Sequence, residues 1–204
     1  MTPPPLAPGL PDPVLDAQRC FRAVLGAMSR PGRVACAAPE GLVPPAPLAP
    51  AAAAVLLTLA DADTPVWLDP ADAVGPAGAW LRFHAGCPVV AAAEDAAFVL
   101  AAQGPAACPA IAALDAGTEE DPHAAATLVL QVEALGEGGG AAAWRLSGPG
   151  IESEHRLRVF GAPADFLAQW AANRARFPRG VDVVLCAGDR LAALPRGVRI
   201  TLDD

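Results

Sequence analysis

PAAAAVLLTLADADTPVWL, residues 50 to 68, holds a helix, a turn and a strand in one short stretch. The run from Pro50 to Asp61 is apolar nearly all round, and Pro50 suits a first helical turn. A helix with no polar face has no side to offer to water, so it belongs near the centre of the molecule. Asp61, Asp63 and Thr64 then make a polar turn. Pro65 to Leu68, with Val66 and Trp67, reads as a short strand. A buried helix that feeds a strand through a tight turn is the alternation of a mixed α/β fold.

Upstream, Asp12 to Met28 reads as a helix, with Asp12 as cap and Pro13 in the first turn. Val14, Ala17, Phe21, Val24, Leu25 and Met28 recur at helical spacing, which predicts that this face is buried. Arg30-Pro31-Gly32 ends the helix, and Arg33 to Ala37 reads as a short strand. A proline-rich connection through Pro47 leads to the central helix. Beyond residue 68, a loop with Gly75, Pro76 and Gly78 precedes a short helix carrying Trp80 to His84. Pro88 to Val90 and Phe98 to Leu100 are short strands, and Ala106 to Leu114 is a helix.

The second half is richer in strands. Thr127 to Leu135 alternates, with Leu128, Leu130, Val132 and Ala134 on one face, and the glycine-rich turn after it predicts a hairpin with Ala142 to Ser147. Ile151 to Phe160 extends that sheet past the Gly148-Pro149-Gly150 turn. Pro163 to Arg174 is a helix, with Phe166, Leu167 and Trp170 at core spacing. Asp182 to Ala187, Leu191 to Leu194 and Val198 to Leu202 are strands. The fold class expected is α/β, a mixed sheet with flanking helices. One domain spans residues 13–204 behind a flexible, proline-rich arm of residues 1–12.

Composition removes several classes of function. The net charge of −8 opposes general binding to nucleic acid or to an anionic membrane, since both need a basic stripe. Ala51 to Ala60 is too short and too proline-flanked to span a bilayer. The start has no basic region followed by an apolar run, so a cytoplasmic protein is expected. The five cysteines include no CxxC pair, which argues against a zinc or iron-sulfur site. Lysine is absent altogether. A Schiff-base enzyme, any pyridoxal-phosphate enzyme among them, and a Walker A loop both need that amine.

Six stretches resemble one family. They are DAQRCFRAVLGAMSRPG from Asp16, LLTLADADTPVWL from Leu56, LRFHAGCP from Leu81, GTEEDPHAAATLVLQVEAL from Gly117, LSGPGI from Leu146 and FPRGVDVVL from Phe177. Together they are similar to the PhnH family, the H subunits of the bacterial carbon-phosphorus lyase system of phosphonate metabolism. The resemblance implies a subunit that takes part, with partners, in forming α-D-ribose 1-methylphosphonate 5-triphosphate from ATP and methylphosphonate. It implies a homodimer that joins the G, I and J subunits, and a fold like that of pyridoxal-phosphate-dependent transferases without the cofactor. The proline-rich arm, the connection from Pro39 to Pro50 and the triglycine turn depart from the family pattern.

Candidate chemistry is sparse. Asp61 and Asp63 beside Thr64 have the oxygen ligands a magnesium ion on a triphosphate would take, or they close the turn before Pro65. Arg82 and His84 suit a phosphonate or phosphate, or buried carbonyls at a subunit interface. Together with Asp63 they are the candidates for anion binding or for an interface. Arg156 and Arg158 share one face of a strand, and Arg174, Arg176 and Arg179 surround a helix end; each group suits a polyanion or a solvated surface. His123 and His155 lack partners at metal-ligand spacing, and Ser147 and Ser153 lack the setting of a nucleophile elbow. The reading that follows is an accessory subunit, with a homodimer that carries its own anion-binding transferase site as the alternative.

Overall fold

The computed structural model describes residues 6–104, 107–140 and 142–202. Helix α1 (Pro13–Ser29) begins as expected: the Asp12 carboxylate accepts from the backbone N–H groups of Val14 and Leu15 at 3.2 and 3.0 Å. Strand β1 (Ala35–Cys36) follows, then α2 (Pro50–Leu59), in which every residue from Ala51 to Leu56 is buried. Next come β2 (Val66–Leu68), the single turn α3 (Pro70–Ala73), α4 (Pro76–His84), β3 (Val89–Val90) and β4 (Phe98–Ala101). The second half holds β5 (Thr127–Gln131), β6 (Ala134–Glu137), β7 (Trp144–Ser147), β8 (His155–Phe160), α5 (Phe166–Arg174), β9 (Asp182–Ala187), β10 (Arg190–Leu194) and β11 (Arg199–Leu202).

Seven strands form a mixed sheet in the order β1-β10-β9-β5-β4-β2-β3. β9, β5, β4, β2 and β3 run parallel, while β10 and β1 add an antiparallel edge. Its inner strands are buried on both faces, the usual state of parallel strands. Leu100, Val129, Val184 and Leu191 face α1, α2 and α4. Val99, Leu128, Leu130, Val183, Leu185 and Leu194 face the opposite way, onto Trp144, Leu146, Leu157, Phe166 and Trp170. That second layer is a four-stranded antiparallel sheet, β11-β7-β8-β6, with α5 beside it. Burying each leucine of these two cores contributes about 1.5 to 3 kcal/mol.

Three expectations fail, each for a physical reason. Thr127 to Leu135 is not one strand of a hairpin. The chain leaves the large sheet after Gln131, β6 enters the small sheet, and β8 lies between β6 and β7. Alternation in sequence cannot separate two short strands in different sheets from one long strand. The apolar face expected to be buried on α1 is largely open: Val14, Phe21 and Leu25 are 76%, 50% and 56% exposed. Of that face Val24 is buried as expected, and beside it lie the small buried residues Cys20 and Ala27, whose side chains let a helix approach its neighbour closely. Among the described residues of the helix expected at Ala106 to Leu114, Ile111–Ala113 forms a 3₁₀ turn and no α-helix is present; Ala106 itself lies outside the described residues.

Candidate functional site

Asp61 and Thr64 build the turn that joins α2 to β2. Asp61 Oδ1 accepts from the Asp63 N–H at 3.0 Å and from the Thr64 hydroxyl at 2.9 Å. This local bonding starts the chain into β2. The Asp63 carboxylate is exposed and has no partner among the described residues. Within those residues, no group of three or more His, Cys, Asp or Glu side chains is placed to hold a metal ion.

Arg82 and His84 occupy the last turn of α4, where positive charge suits the helix dipole. Exposed Arg82 donates from Nη1 to the Ala73 carbonyl at 3.1 Å. His84 Nε2 lies 2.9 Å from the Ala7 carbonyl, which can only accept, so that nitrogen carries the proton. The same carbonyl takes the Trp80 indole N–H at 2.8 Å. The His84 ring packs against Trp80 and Phe83, with centroids 5.0 and 4.9 Å away. A Cβ on Gly9 would come within 2.8 Å of Nδ1, so the arm closes over the ring. No bond joins Asp63 to Arg82 or His84 among the described residues; each of those two side chains holds a different backbone carbonyl.

The turn of residues 61–64 lies at the amino-terminal edge of the parallel strands, where the Val66 N–H donates to Pro88 O at 2.8 Å, while Arg82 reaches α3, just past the end of β2. Ligand sites of parallel α/β sheets gather at the opposite edge. That edge is occupied by side chains sequence reading did not single out. Gln131 Oε1 accepts from the Ala49 N–H, while its Nε2 donates to Pro47 O and Ala102 O at 2.9 and 2.8 Å. Gln103 Nε2 donates to Asp72 Oδ1 at 2.9 Å, and Asp72 Oδ2 is buried without a partner among the described residues. A glutamine closing an apolar strand, TLVLQ, was the available signal.

Two glycine turns meet at the far end of α1. Gly32 and Gly150 both have positive φ, +85° and +81°. A Cβ on Gly32 would come within 2.4 Å of Leu146 Cδ1, and one on Gly150 within 2.4 Å of the Ser29 carbonyl oxygen. Neither turn can take a methyl group, so SRPG and SGPGI interlock. A cavity of about 240 Å³ lies beside them, lined by Arg30, Arg33, Glu152, Glu154 and His155 among others. His155 Nε2 is 3.7 Å from Glu137 Oε2, and the other oxygen of that carboxylate accepts from the Val34 N–H at 2.9 Å. The cavity mixes charges of both signs.

The remaining candidates stand apart. His123 is exposed, 3.9 Å from Asp121. Ser147 ends β7 and Ser153 lies in a bend, neither on a strand-to-helix turn. Near α5, Arg174 donates to Gly197 O at 3.4 Å, but the well-formed ion pair there belongs to Arg196, whose Nε and Nη2 donate to both Asp182 oxygens at 3.1 and 2.6 Å. Burial and the Asp165 carboxylate push the Cys108 thiol up to about 11, and burial raises Cys20, Cys36, Cys87 and Cys186 as well. Thiols held in that direction are poor nucleophiles near neutral pH.

Comparison with known proteins follows the same lines as the motifs. The family model described as "Bacterial phosphonate metabolism protein (PhnH)" matches residues 8–201. "Alpha-D-ribose 1-methylphosphonate 5-triphosphate synthase subunit PhnH" of Rhizobium meliloti (strain 1021) is 44% identical over 192 residues, covering 93% of this chain and 92% of that protein. "Putative C-P lyase subunit protein HtxG" of Stutzerimonas stutzeri is 36% identical over 185 residues, covering 91% of this chain and 86% of that protein.

Proposed function

This chain belongs to the PhnH family of bacterial phosphonate metabolism proteins, and from that membership we propose that it is a subunit of the carbon-phosphorus lyase machinery of organic phosphonate catabolism. It takes part with partner subunits in forming α-D-ribose 1-methylphosphonate 5-triphosphate from ATP and methylphosphonate. The observation that carries this reading is the 44% identity to a synthase subunit over 93% of the chain.

Its role is accessory: it completes or steadies sites on partner chains. This reading is supported by the dispersal of the candidate residues, because acid-base or nucleophilic chemistry needs groups within hydrogen-bond reach of one another. Arg82 and His84 act as positioning residues that hold the backbone of α3 and of the arm. The chain works in the cytoplasm, with the G, I and J subunits as partners and a second copy of itself in the free state. The open apolar side of α1, with Val14, Phe21 and Leu25, is the face offered to that second copy. The fold follows that of pyridoxal-phosphate-dependent transferases, with no lysine to hold the cofactor.

The test is reconstitution. The chain alone should leave ATP and methylphosphonate unchanged, and with the cognate G, I and J subunits it should co-purify in an active particle. Ribose-phosphonate synthesis by the isolated chain would reject the accessory role.

A further inference from the structure

The outer face of the small sheet is basic in an acidic protein. Side chains of β7, β8, β6 and β11 alternate, and Trp144, Leu146, Leu157, Val159, Leu135 and Ile200 point into the core. The register therefore places Arg145, Arg156, Arg158 and Arg199 on the solvent side, with Thr201 and Phe160. Arg145 and Arg156 are directly opposite each other across β7 and β8. Like charges at opposed positions destabilise a sheet. Arg156 is paired on this face, with Glu154 at 2.9 Å.

Two side chains on this face are held in place. Arg145 Nε donates to the Thr201 hydroxyl at 3.2 Å across β7 and β11. Arg158 lies over Gly136, where an added Cβ would meet its Nη2 at 3.2 Å, and that nitrogen reaches the Glu137 carbonyl at 3.4 Å. Phe160, 52% exposed, adds an aromatic ring at the same surface. Arginine and aromatic side chains are enriched at protein interfaces, where guanidinium groups take carboxylates in a bidentate manner.

We infer that this four-arginine sheet face is the docking surface for an acidic, carboxylate-rich face of a partner subunit. The inference rests on the subunit role above and names where the contact lies. The occupant is a protein and not a nucleic acid, because the chain as a whole carries −8 and would repel a phosphate polymer beyond the patch. It is not a second copy of this chain either, since an arginine face meeting itself about a twofold axis would set like charges together. Opposed arginines weaken the isolated sheet and become an asset when carboxylates lie between them.

The experiment is co-purification of the full chain with its cognate G, I and J subunits across a salt series, using wild type, R145E/R158E and the neutral R145Q/R158Q. Wild-type assembly should weaken steadily as salt rises. R145E/R158E should lower partner affinity roughly tenfold or more at low salt, with R145Q/R158Q in between. R145E places a carboxylate opposite Arg156, so the melting temperature of the free chain should hold or rise while assembly falls, which a merely structural role would not produce. Equal assembly by wild type and R145E/R158E overturns this inference and leaves the subunit role standing. A wild-type chain that joins no partner at any salt ends both. Assembly unaffected by the substitutions, together with loss of duplex DNA binding in them, overturns it in favour of a nucleic-acid surface.

Discussion

Asn173 and Val181 are joined by two hydrogen bonds: Asn173 Nδ2 donates to the Val181 carbonyl at 2.9 Å, and the Val181 N–H donates to Asn173 Oδ1 at 2.8 Å. The side chain thus does the work of a neighbouring strand. It ties the last turn of α5 to the residue just before β9, and Asn173 is buried. Asn173 is the one asparagine in the chain. Gly180 allows the close approach, since its φ is +133° and an added Cβ would lie 3.0 Å from Asn173 Oδ1.

Asn173→Ala should therefore cost roughly 2 to 4 kcal/mol, because it orphans a buried N–H and a buried carbonyl at once. Asn173→Asp should cost more, since it loses the donor and buries a charge. Urea denaturation of the three proteins measures both; a neutral Asn173→Ala would show that Val181 finds other partners.

On α4, Arg82 and His84 hold different carbonyls, those of Ala73 and Ala7. Arg82→Ala should change stability by no more than about 0.5 kcal/mol, since the side chain is exposed. His84→Ala removes one of two donors to Ala7 O together with its ring packing, and should cost about 1 to 2 kcal/mol. Removing residues 1 to 9 should go further and shift tryptophan emission to the red as Trp80 loses its cover. An unshifted spectrum would mean that the arm does not shield Trp80 in solution.

Helices α1 and α2 show what the sequence could and could not reveal. α2 was legible because an all-round apolar run has one stable place, the centre, and Ala51 to Leu56 are buried there. For α1, periodicity revealed an apolar stripe without saying what covers it. The proposed self-contact on α1 predicts a dimer by light scattering for the free wild-type chain and a monomer of 20.6 kDa for Phe21→Glu with Leu25→Glu, with little loss of thermal stability. A protein that stays dimeric would move the self-contact elsewhere.

The small sheet was legible as strands but not as pairings. β6 and β7 flank a glycine-rich turn, yet each pairs with β8, because pairing is decided by which edges remain open after the chain has crossed between sheets. The candidate site was hidden for a related reason. Arg82, His84 and Asp63 fall in stretches that resemble the family, but a motif does not say whether a side chain faces a ligand or a backbone carbonyl. Gln131, Asn173 and the interlocked Gly32 and Gly150 matter through distant partners, which residue spacing does not show.

Alkaline pH should weaken the fold. In the folded chain Cys108 is pushed up to about 11, above its ordinary value of 9.0, by burial first and Asp165 second. A raised acid keeps its proton in the folded state after the unfolded chain has lost it, so this contribution is complete below pH 9 and is lost as pH climbs through about 11. Cys108→Ala should flatten part of that decline in a melting series from pH 8 to 11. An unchanged slope would show that the thiol is solvated in solution.

The central claim is that this chain acts only within an assembly, and the most direct measurement pairs a pull-down with a turnover assay. The account predicts one particle containing this chain and the cognate G, I and J subunits, with ribose-phosphonate synthesis that the isolated chain does not support at any concentration of ATP and methylphosphonate. Formation of that product by the purified chain alone would contradict it.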